Sequence, residues 1–113
     1  MPAGYQELFL EQGTDFSTTI TLDDVYGDAF DLTGTVAKSQ IRRSYYSTHA
    51  TADFLVTIPT PTNGVIVLTL DSATTSNIAP GRYVYDVITK DSANSVTRVL
   101  EGIVNVLPQV TVF

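Results

Sequence analysis

Residues 79–89 read Ala-Pro-Gly-Arg-Tyr-Val-Tyr-Asp-Val-Ile-Thr. From Tyr83 onward the side chains alternate, with Tyr, Tyr and Val on one side and Val, Asp and Ile on the other. This period of two is that of an extended strand, since successive side chains of a strand point to opposite faces. The preceding Pro-Gly pair marks a turn. The stretch therefore predicts a strand over 82–89, with Asp86 facing away from Tyr83 and Tyr85.

The same alternation recurs along the whole chain. Threonine and valine supply 17 and 13 of the 113 residues, and β-branched residues favour strands over helices. No long segment keeps the spacing of an amphipathic helix. Strands are predicted over 5–11, 16–22, 30–32, 35–43, 52–58, 65–70, 82–89 and 96–106, with a turn at 23–29, a loop at 44–51 and a hairpin turn at 59–64.

Short strands without crossover helices predict one all-β domain over residues 1–113, packed as an antiparallel sandwich. A barrel is the alternative architecture. In the last strand, Val96 and Arg98 are expected to share a face with Leu100. The expected core is formed by inward side chains of both sheets: Phe16, Ile20, Leu22, Ile41, Phe54, Val56, Ile66, Leu68, Tyr85, Val87 and Leu100.

The connection that enters strand 82–89 refines this architecture. Residues 71–78 are predicted to form one helical turn, because Asp71 or Ser72 is a suitable N-cap and the Pro-Gly pair ends it. In Ig-like sandwiches, a tyrosine at the start of the penultimate strand hydrogen-bonds back to the corner before it. Tyr83 occupies that place. The predicted fold is therefore an antiparallel Ig-like β-sandwich of about seven or eight strands.

Several turn and strand motifs occur in a fixed order: Gly13-Thr14-Asp15-Phe16, Leu22-Asp23-Asp24, Phe30-Asp31-Leu32-Thr33-Gly34, Asn63-Gly64-Val65, Leu68-Thr69-Leu70, the segment from Ala79 to Val87, and Glu101-Gly102-Ile103-Val104. This layout resembles small Ig-like domains of tailed-bacteriophage particles. Similar domains occur at the N-terminus of baseplate upper proteins and as stand-alone virion structural proteins, notably in cyanophage-like myoviruses. The resemblance spans residues 13–106.

The resemblance implies an assembly component and not an enzyme, with no catalytic residues to carry over. We expect a structural part of the virion, in the tail, baseplate or neck or as a head decoration. It would assemble in the host bacterial cytoplasm and contact other virion proteins in a symmetric array.

Charge and composition exclude several other classes of function. Twelve acidic residues against six basic ones give a net charge of −6, which disfavours nucleic acid as a partner. The absence of cysteine and the single histidine, His49, exclude thiolate zinc sites and histidine metal clusters. No apolar run is long enough to span a membrane. No cofactor is expected.

Four aspartates, Asp23, Asp24, Asp28 and Asp31, surround the turn at 23–29. Carboxylate oxygens grouped in a loop are how proteins hold Ca²⁺, although the spacing does not fit an EF-hand. Aspartates also bond turn amides on their own account. The favoured interpretation is that these aspartates bond turn amides, and calcium binding is kept as the alternative.

The first candidate interface is formed by the end of strand 35–43 and the loop that follows it. This region carries the only basic pair in an acidic protein, and its candidate residues are Arg42, Arg43, Tyr45, Tyr46 and His49. Arginine and tyrosine are enriched where proteins bind one another. The alternative is a solvated strand end followed by a polar loop.

The two ends of the chain are the second candidate interface. Residues 1–12 include Tyr5 and Phe9, and residues 108–113 include Val110, Val112 and Phe113. Both segments are apolar and weakly charged, which invites strand addition by a neighbouring chain. The alternative is that they pair with each other as ordinary edge strands.

Two classes of function remain after this reading. The first is the virion structural protein described above. The second is a carbohydrate-binding adhesin module for host-surface recognition, in which Tyr45 and Tyr46 stack on sugar rings and a Ca²⁺ ion held by the aspartates would help to bind them.

Overall fold

The computed structural model describes residues 4–23 and 26–112, in which period-two alternation produces strands throughout. The strands are β1 (Gly4–Tyr5), β2 (Leu8–Glu11), β3 (Phe16–Thr21), β4 (Val36–Arg42), β5 (Ala52–Asp53), β6 (Leu55–Thr57), β7 (Val65–Leu70), β8 (Gly81–Lys90) and β9 (Val96–Leu107). One short helix, α1 (Ser72–Ser76), lies between β7 and β8.

The strands form two sheets that face each other. The large sheet has the order β1-β9-β8-β4-β5, with β2 also pairing β9, and the small sheet has the order β3-β7-β6. All pairs are antiparallel except β1 and β2, which run parallel to β9. The predicted all-β sandwich is confirmed, and the barrel alternative is excluded because the two sheets are separate.

The core lies between the sheets, where the alternation predicted it. Along β8, Tyr83, Tyr85, Val87 and Thr89 are buried while the residues between them are partly exposed. Of the predicted core residues, all are fully buried except three that are half-buried against the core, namely Phe16, Leu22 and Val56. The sequence did not identify several further buried residues: Leu8, Leu10, Leu32, Leu70, Ile78, Val104 and Val106.

The strand predicted over 52–58 is two strands that belong to different sheets. β5 pairs with β4 in the large sheet, and β6 pairs with β7 in the small sheet. Phe54, at the crossing, is 6% exposed, and its amide donates to the Ser39 carbonyl at 3.0 Å. Its ring lies 6.0 Å from that of Phe16 and 6.2 Å from that of Tyr85. Phe54 thus connects the two layers.

The strand predicted over 30–32 is wrong. Its main-chain bonds go elsewhere: the Phe30 amide donates to the Leu22 carbonyl at 2.9 Å, and the Leu32 amide donates to the Pro61 carbonyl at 2.8 Å. Leu32 is nevertheless 1% exposed. An apolar side chain can enter the core from an irregular segment whose backbone is satisfied by a neighbouring turn.

The single face predicted for β9 is also wrong at its start. Val87 pairs with Leu100 but Ile88 pairs with Arg98, so Val99 is an extra residue in a β-bulge. The bulge shifts Val96 and Arg98 to the outer face. Arg98 bonds there to Asp86 at 3.4 Å and to Glu101 at 3.0 Å.

The predicted hairpin turn at 59–64 and the helical turn within 71–78 are confirmed. A 3₁₀ turn at Pro61–Asn63 and a left-handed Gly64 join β6 to β7 as a hairpin. Helix α1 begins at the N-cap Asp71, whose carboxylate accepts the Thr74 amide at 2.8 Å. Within the described ranges, no helix is long and apolar enough to cross a membrane.

The strand predicted over 5–11 runs alongside β9 and is interrupted next to Gly102. The Tyr85 hydroxyl donates to the Gln6 carbonyl at 2.7 Å, at the break between β1 and β2. A Cβ at Gly102 would lie 2.0 Å from that carbonyl oxygen and 3.1 Å from the Tyr85 ring. Glycine is therefore required in the middle of β9, because the N-terminal segment approaches the strand at backbone distance.

Replacing Gly102 tests this close approach. We expect Gly102→Ala to lower the free energy of unfolding by about 3 kcal/mol, because backbone atoms must move to admit the methyl group. Gly4→Ala is the matched control, since a Cβ there meets its nearest atom at an ordinary 3.4 Å. Denaturant unfolding of both variants measures the difference, and equal losses would contradict the role given to Gly102.

Replacing Tyr85 tests the buried hydroxyl. We expect Tyr85→Phe to cost about 1–3 kcal/mol of folding stability, because the Gln6 carbonyl loses its partner. Tyr46→Phe, at a side chain that is 94% exposed, should change little. A loss in Tyr85→Phe no larger than in Tyr46→Phe would contradict the bond's importance.

The buried hydroxyl of Tyr85 also makes the stability of the fold depend on pH. Burial, with a smaller contribution from Tyr5, raises the pKa of Tyr85 above its usual 10.0. The folded state therefore holds the hydroxyl proton more tightly than the unfolded state. The contribution of this hydroxyl to the free energy of unfolding is complete below pH 10 and falls as the pH rises further. Unfolding measured across this range should show the wild-type advantage over Tyr85→Phe shrinking above pH 10.

Candidate functional site

Sheet topology gathers most of the predicted interface residues at one end of the sandwich. The end of β4 lies beside the start of β8, which pairs with the end of β9, and β2 runs parallel to β9. The loop after β4, the tail after β9 and the turn after β2 therefore emerge together. We call this end the docking end, and it comprises residues 12–14, 43–49, 79–81 and 107–112.

Arg42 holds the base of the loop. Its guanidinium donates to the Ser47 carbonyl at 2.8 Å and to the Gln40 side-chain oxygen at 2.9 Å. The Ser47 amide donates to the Ser44 carbonyl at 3.2 Å, which closes a turn. The sequence placed Arg42 in an interface, whereas its hydrogen bonds here order the loop itself.

Arg43 contacts the corner that precedes β8. Its guanidinium lies 4.9 Å from the centre of the Tyr83 ring, a cation–π distance. The Tyr83 hydroxyl in turn donates to the Ala79 carbonyl at 2.6 Å. This bond confirms the tyrosine corner predicted from the sequence. The pairing of Arg43 with Tyr83 was not predicted, because no local pattern links residues forty positions apart.

The tip of the loop points into solvent. Tyr45 is 58% exposed and Tyr46 is 94% exposed, and His49 is also exposed. Two neighbouring aromatic side chains of this exposure offer apolar area to a partner without any rearrangement of the core.

The N-terminal segment is an edge of the large sheet and not a separate arm over residues 4–11. Phe9 pairs with Asn105 on the outer face and is 62% exposed, and Tyr5 pairs with Glu101 and is 63% exposed. The predicted arm 1–12 is thus corrected to an edge strand within the described residues. Its partner is β9, and not the C-terminal segment that the sequence offered as the alternative.

The C-terminal segment leaves the sheet at Pro108, which has no amide to continue a ladder. The Gln109 amide donates to the Gln12 side-chain oxygen at 3.4 Å, which holds the start of the tail at the docking end. Beyond it, Val110 is 99% exposed and Val112 is 71% exposed. Phe113 lies outside the described residues.

Two of the aspartates in and beside the 23–29 turn, Asp23 and Asp31, make different local contacts. Asp23 forms an isolated bridge with Ala29, and Asp28 is exposed. The Thr33 hydroxyl and amide donate to Asp31 at 2.6 and 2.9 Å, and these hydrogen bonds hold the pKa of Asp31 below its usual value. Among the described residues no three His, Asp or Glu side chains converge as a metal site would require. Asp24 lies outside those residues.

A hollow of about 260 Å³ lies at the opposite end of the sandwich. Its apolar lining includes Leu22, Phe30 and Val99. Two of the charged side chains around it have partners: Asp31 accepts from Thr33, and Arg98 bonds to Asp86 and Glu101.

The sequence did not single out β3 as an open sheet edge. This strand lies at the edge of the small sheet, with β7 on one side only. Its run of six residues without charge or proline was the available signal.

No protein-family model matches this sequence, and curated proteins give no match. Solved structures share the fold. One is CopC from Methylosinus trichosporium OB3b, with a TM-score of 0.51 and 12% identity over 99% of this chain and 92% of that one. Another is an internalin-like protein of Listeria monocytogenes, with a TM-score of 0.52 and 15% identity over 93% of this chain and 28% of that one.

A third similar structure is a chain in the complex of ICOS with ICOS-L and an anti-ICOS-L VNAR domain. Its TM-score is 0.51 and its identity 14%, over 93% of this chain and 56% of that one. At such identities the likeness concerns the fold alone, and it supports the Ig-like β-sandwich. The chain spans 28% of the internalin-like protein.

The contact between Arg43 and Tyr83 can be tested by substitution. We expect Arg43→Ala to lower the free energy of unfolding by about 0.5–1 kcal/mol, because the ring loses its cation. Arg82→Ala is the matched control, since it removes the same charge from an exposed neighbour in β8. Chemical unfolding of the two variants at low and high salt measures the difference, and equal effects would contradict the contact.

Proposed function

We propose that this protein is a non-enzymatic structural component of a tailed-bacteriophage particle, in the tail, baseplate or neck or as a head decoration. It docks on neighbouring virion proteins through the docking end. The motif layout over 13–106 motivates this proposal.

The observation that carries the proposal is the gathering of exposed apolar residues at one end. Tyr45 and Tyr46 from the loop and Val110 and Val112 from the tail belong to segments distant in sequence, yet sheet pairing brings these segments to the same end. Single exposed apolar residues are ordinary on a protein surface, whereas a group at one end is typical of an interaction site.

An array would make weak contacts at this end sufficient. The loop and tail each offer only a few side chains, and an interface of that size is weak for an isolated pair. When many copies are held side by side, each further contact forms at a high effective concentration. A small domain with several short contact segments is suited to that arrangement.

Several charged side chains already make structural contacts. Arg42 and Arg98 are engaged in structural bonds, and Asp71 caps a helix. His49 is exposed on a loop. Arg42, Arg98 and Asp71 therefore stabilise the fold.

A carbohydrate-binding adhesin module is the second candidate, favoured by the exposure of the adjacent Tyr45 and Tyr46. Glycan arrays probed with and without EDTA separate the two candidates. Saturable binding that is lost in Tyr45→Ala and Tyr46→Ala would favour the adhesin, and the absence of binding would favour the structural role.

The structural role predicts that the tail is needed for incorporation. A variant ending at Pro108 should remain folded by circular dichroism, because residues 109–112 pair with no strand, but its amount in purified particles should fall at least tenfold. Val96→Ala is the control, since this 62% exposed residue lies at the opposite end of the sandwich. Particles are analysed by mass spectrometry and immunogold labelling.

Two outcomes of this experiment bear on different claims. Unchanged incorporation of the shortened variant would remove the tail from the docking end. Absence of the wild-type protein from purified particles would overturn the proposed function as a whole.

A further inference from the structure

Strand β3 has an open hydrogen-bonding edge. The Leu22 amide donates to the Gly64 carbonyl at 2.8 Å, so Leu22 and Gly64 form a hydrogen-bonded pair that continues the β3–β7 register. Because such pairs alternate along antiparallel strands, the main-chain groups of Ser17, Thr19 and Thr21 point away from β7. Within residues 4–23 and 26–112, no strand lies on that side of β3.

This edge lacks the usual protection against strand addition. Residues Phe16–Thr21 read Phe-Ser-Thr-Thr-Ile-Thr, without a charge, a proline or a bulge. Natural proteins normally shield such an edge with charges, prolines, bulges or very short strands. The other edge of the small sheet, β6, has only three residues.

The vacancy beside β3 arises from the course of the N-terminal segment. In the Ig constant-type arrangement the first strand lies in the same sheet as the second. Here β1 and β2 pair with β9 in the large sheet instead. Phe16, Thr18 and Leu22 consequently remain half-buried along the side where a further strand would cover them.

The tail has the properties of the missing strand. Residues 109–112 read Gln-Val-Thr-Val, with two β-branched apolar side chains on one face and polar ones on the other. Residues 108–112 pair with no strand, and the side chains of Val110 and Val112 are 99% and 71% exposed. If the tail adds beside β3, the face that carries Val110 and Val112 can lie on the same side as Thr18 and Ile20.

We propose that the tail of one copy adds as a strand to the β3 edge of a second copy. This inference rests on the proposed function and gives the docking end its first partner, which is another molecule of the same chain. Main-chain bonds to Ser17, Thr19 and Thr21 supply the attraction, and the alternation of the tail sets which face turns inward.

Charge favours the tail over a pairing of two β3 edges. Asp15 and Asp23 flank β3, so two antiparallel β3 strands would bring acidic residues of both copies close together. Like charges that face each other across strands are destabilising. Residues 108–113 contain no charged side chain, so the tail brings no acidic side chain close to Asp15 or Asp23.

The geometry favours exchange between copies. Gln109 is held near Gly13, close to the start of β3, yet Val110 is 99% exposed and does not lie on its own sheet. Each copy therefore has one tail to give and one edge to offer. Such a head-to-tail contact is heterologous and produces a ring or an open chain of copies.

Two half-defective variants test the exchange. Thr19→Pro blocks the open edge, because proline removes an amide that points away from β7 and leaves the β3–β7 bonds intact. A variant ending at Pro108 removes the tail and keeps the edge. Thr19→Val is the matched control, since it keeps every main-chain group.

Sedimentation velocity over a wide range of protein concentration is the measurement. We expect wild type and Thr19→Val to self-associate, and each half-defective variant to stay monomeric alone. Mixed together, the two defective variants should form a 1:1 complex and nothing larger, because only one tail and one edge remain. The amount of that complex should be reduced at least tenfold when both partners carry Thr19→Pro.

A peptide experiment covers the case in which Thr19→Pro does not fold. A synthetic peptide of residues 108–113 is added to the variant ending at Pro108, and amide exchange is followed by NMR. Protection of the Ser17, Thr19 and Thr21 amides supports the proposal. Saturable binding without protection there would overturn it, as would the absence of binding.

The outcome is independent of the particle experiment. Monomeric wild type at every concentration, or undiminished self-association after removal of the tail, would overturn the exchange between copies. Neither result would affect the presence of the protein in purified particles, on which the proposed function depends.

Discussion

The fold depends on the requirement that buried hydroxyl groups be hydrogen-bonded. Two tyrosines of β8 are buried in the core, and each must find an acceptor because an unpaired polar group in an apolar interior is costly. The Tyr83 hydroxyl binds the Ala79 carbonyl, and the Tyr85 hydroxyl binds the Gln6 carbonyl. The first bond fixes the corner that enters β8. The second fixes the N-terminal segment against β9, where Gly102 leaves room for it.

The position of the N-terminal segment has consequences for the rest of the surface. Because β1 and β2 run parallel to β9, the end of β2 lies next to the beginning of the tail, and Gln12 contacts Gln109 there. The same choice of partner leaves the edge of β3 without a strand. By holding the N-terminal segment against β9, the Tyr85 hydroxyl thus bears on both parts of the proposed exchange. These parts are the tail, which starts beside the end of β2, and the edge of β3, which has no neighbouring strand there.

The proposed structural role agrees with the contacts that charged and aromatic side chains make within the molecule. Arg42, Arg43 and Arg98 each bind within the molecule, which stiffens the sheet and the loop. At the docking end and along the β3 edge, the groups offered to a partner are mainly apolar or main-chain groups. Contacts of this kind are modest one by one, and repetition in an assembly is the setting in which they become stable.

The sequence by itself determined the all-β class, the inward faces of β3, β4 and β8, the hairpin turn, the cap of α1 and the corner at Tyr83. All of these follow from neighbours within a few residues, where side-chain alternation and turn chemistry act directly. The tertiary structure alone decided the crossing between sheets at Phe54, the bulge at Val99, the contact of Arg43 with Tyr83 and the partner of β2. Each of these features depends on which distant strand supplies a hydrogen bond or a packing surface. A local pattern does not contain that information, because one alternating strand can pair with many others.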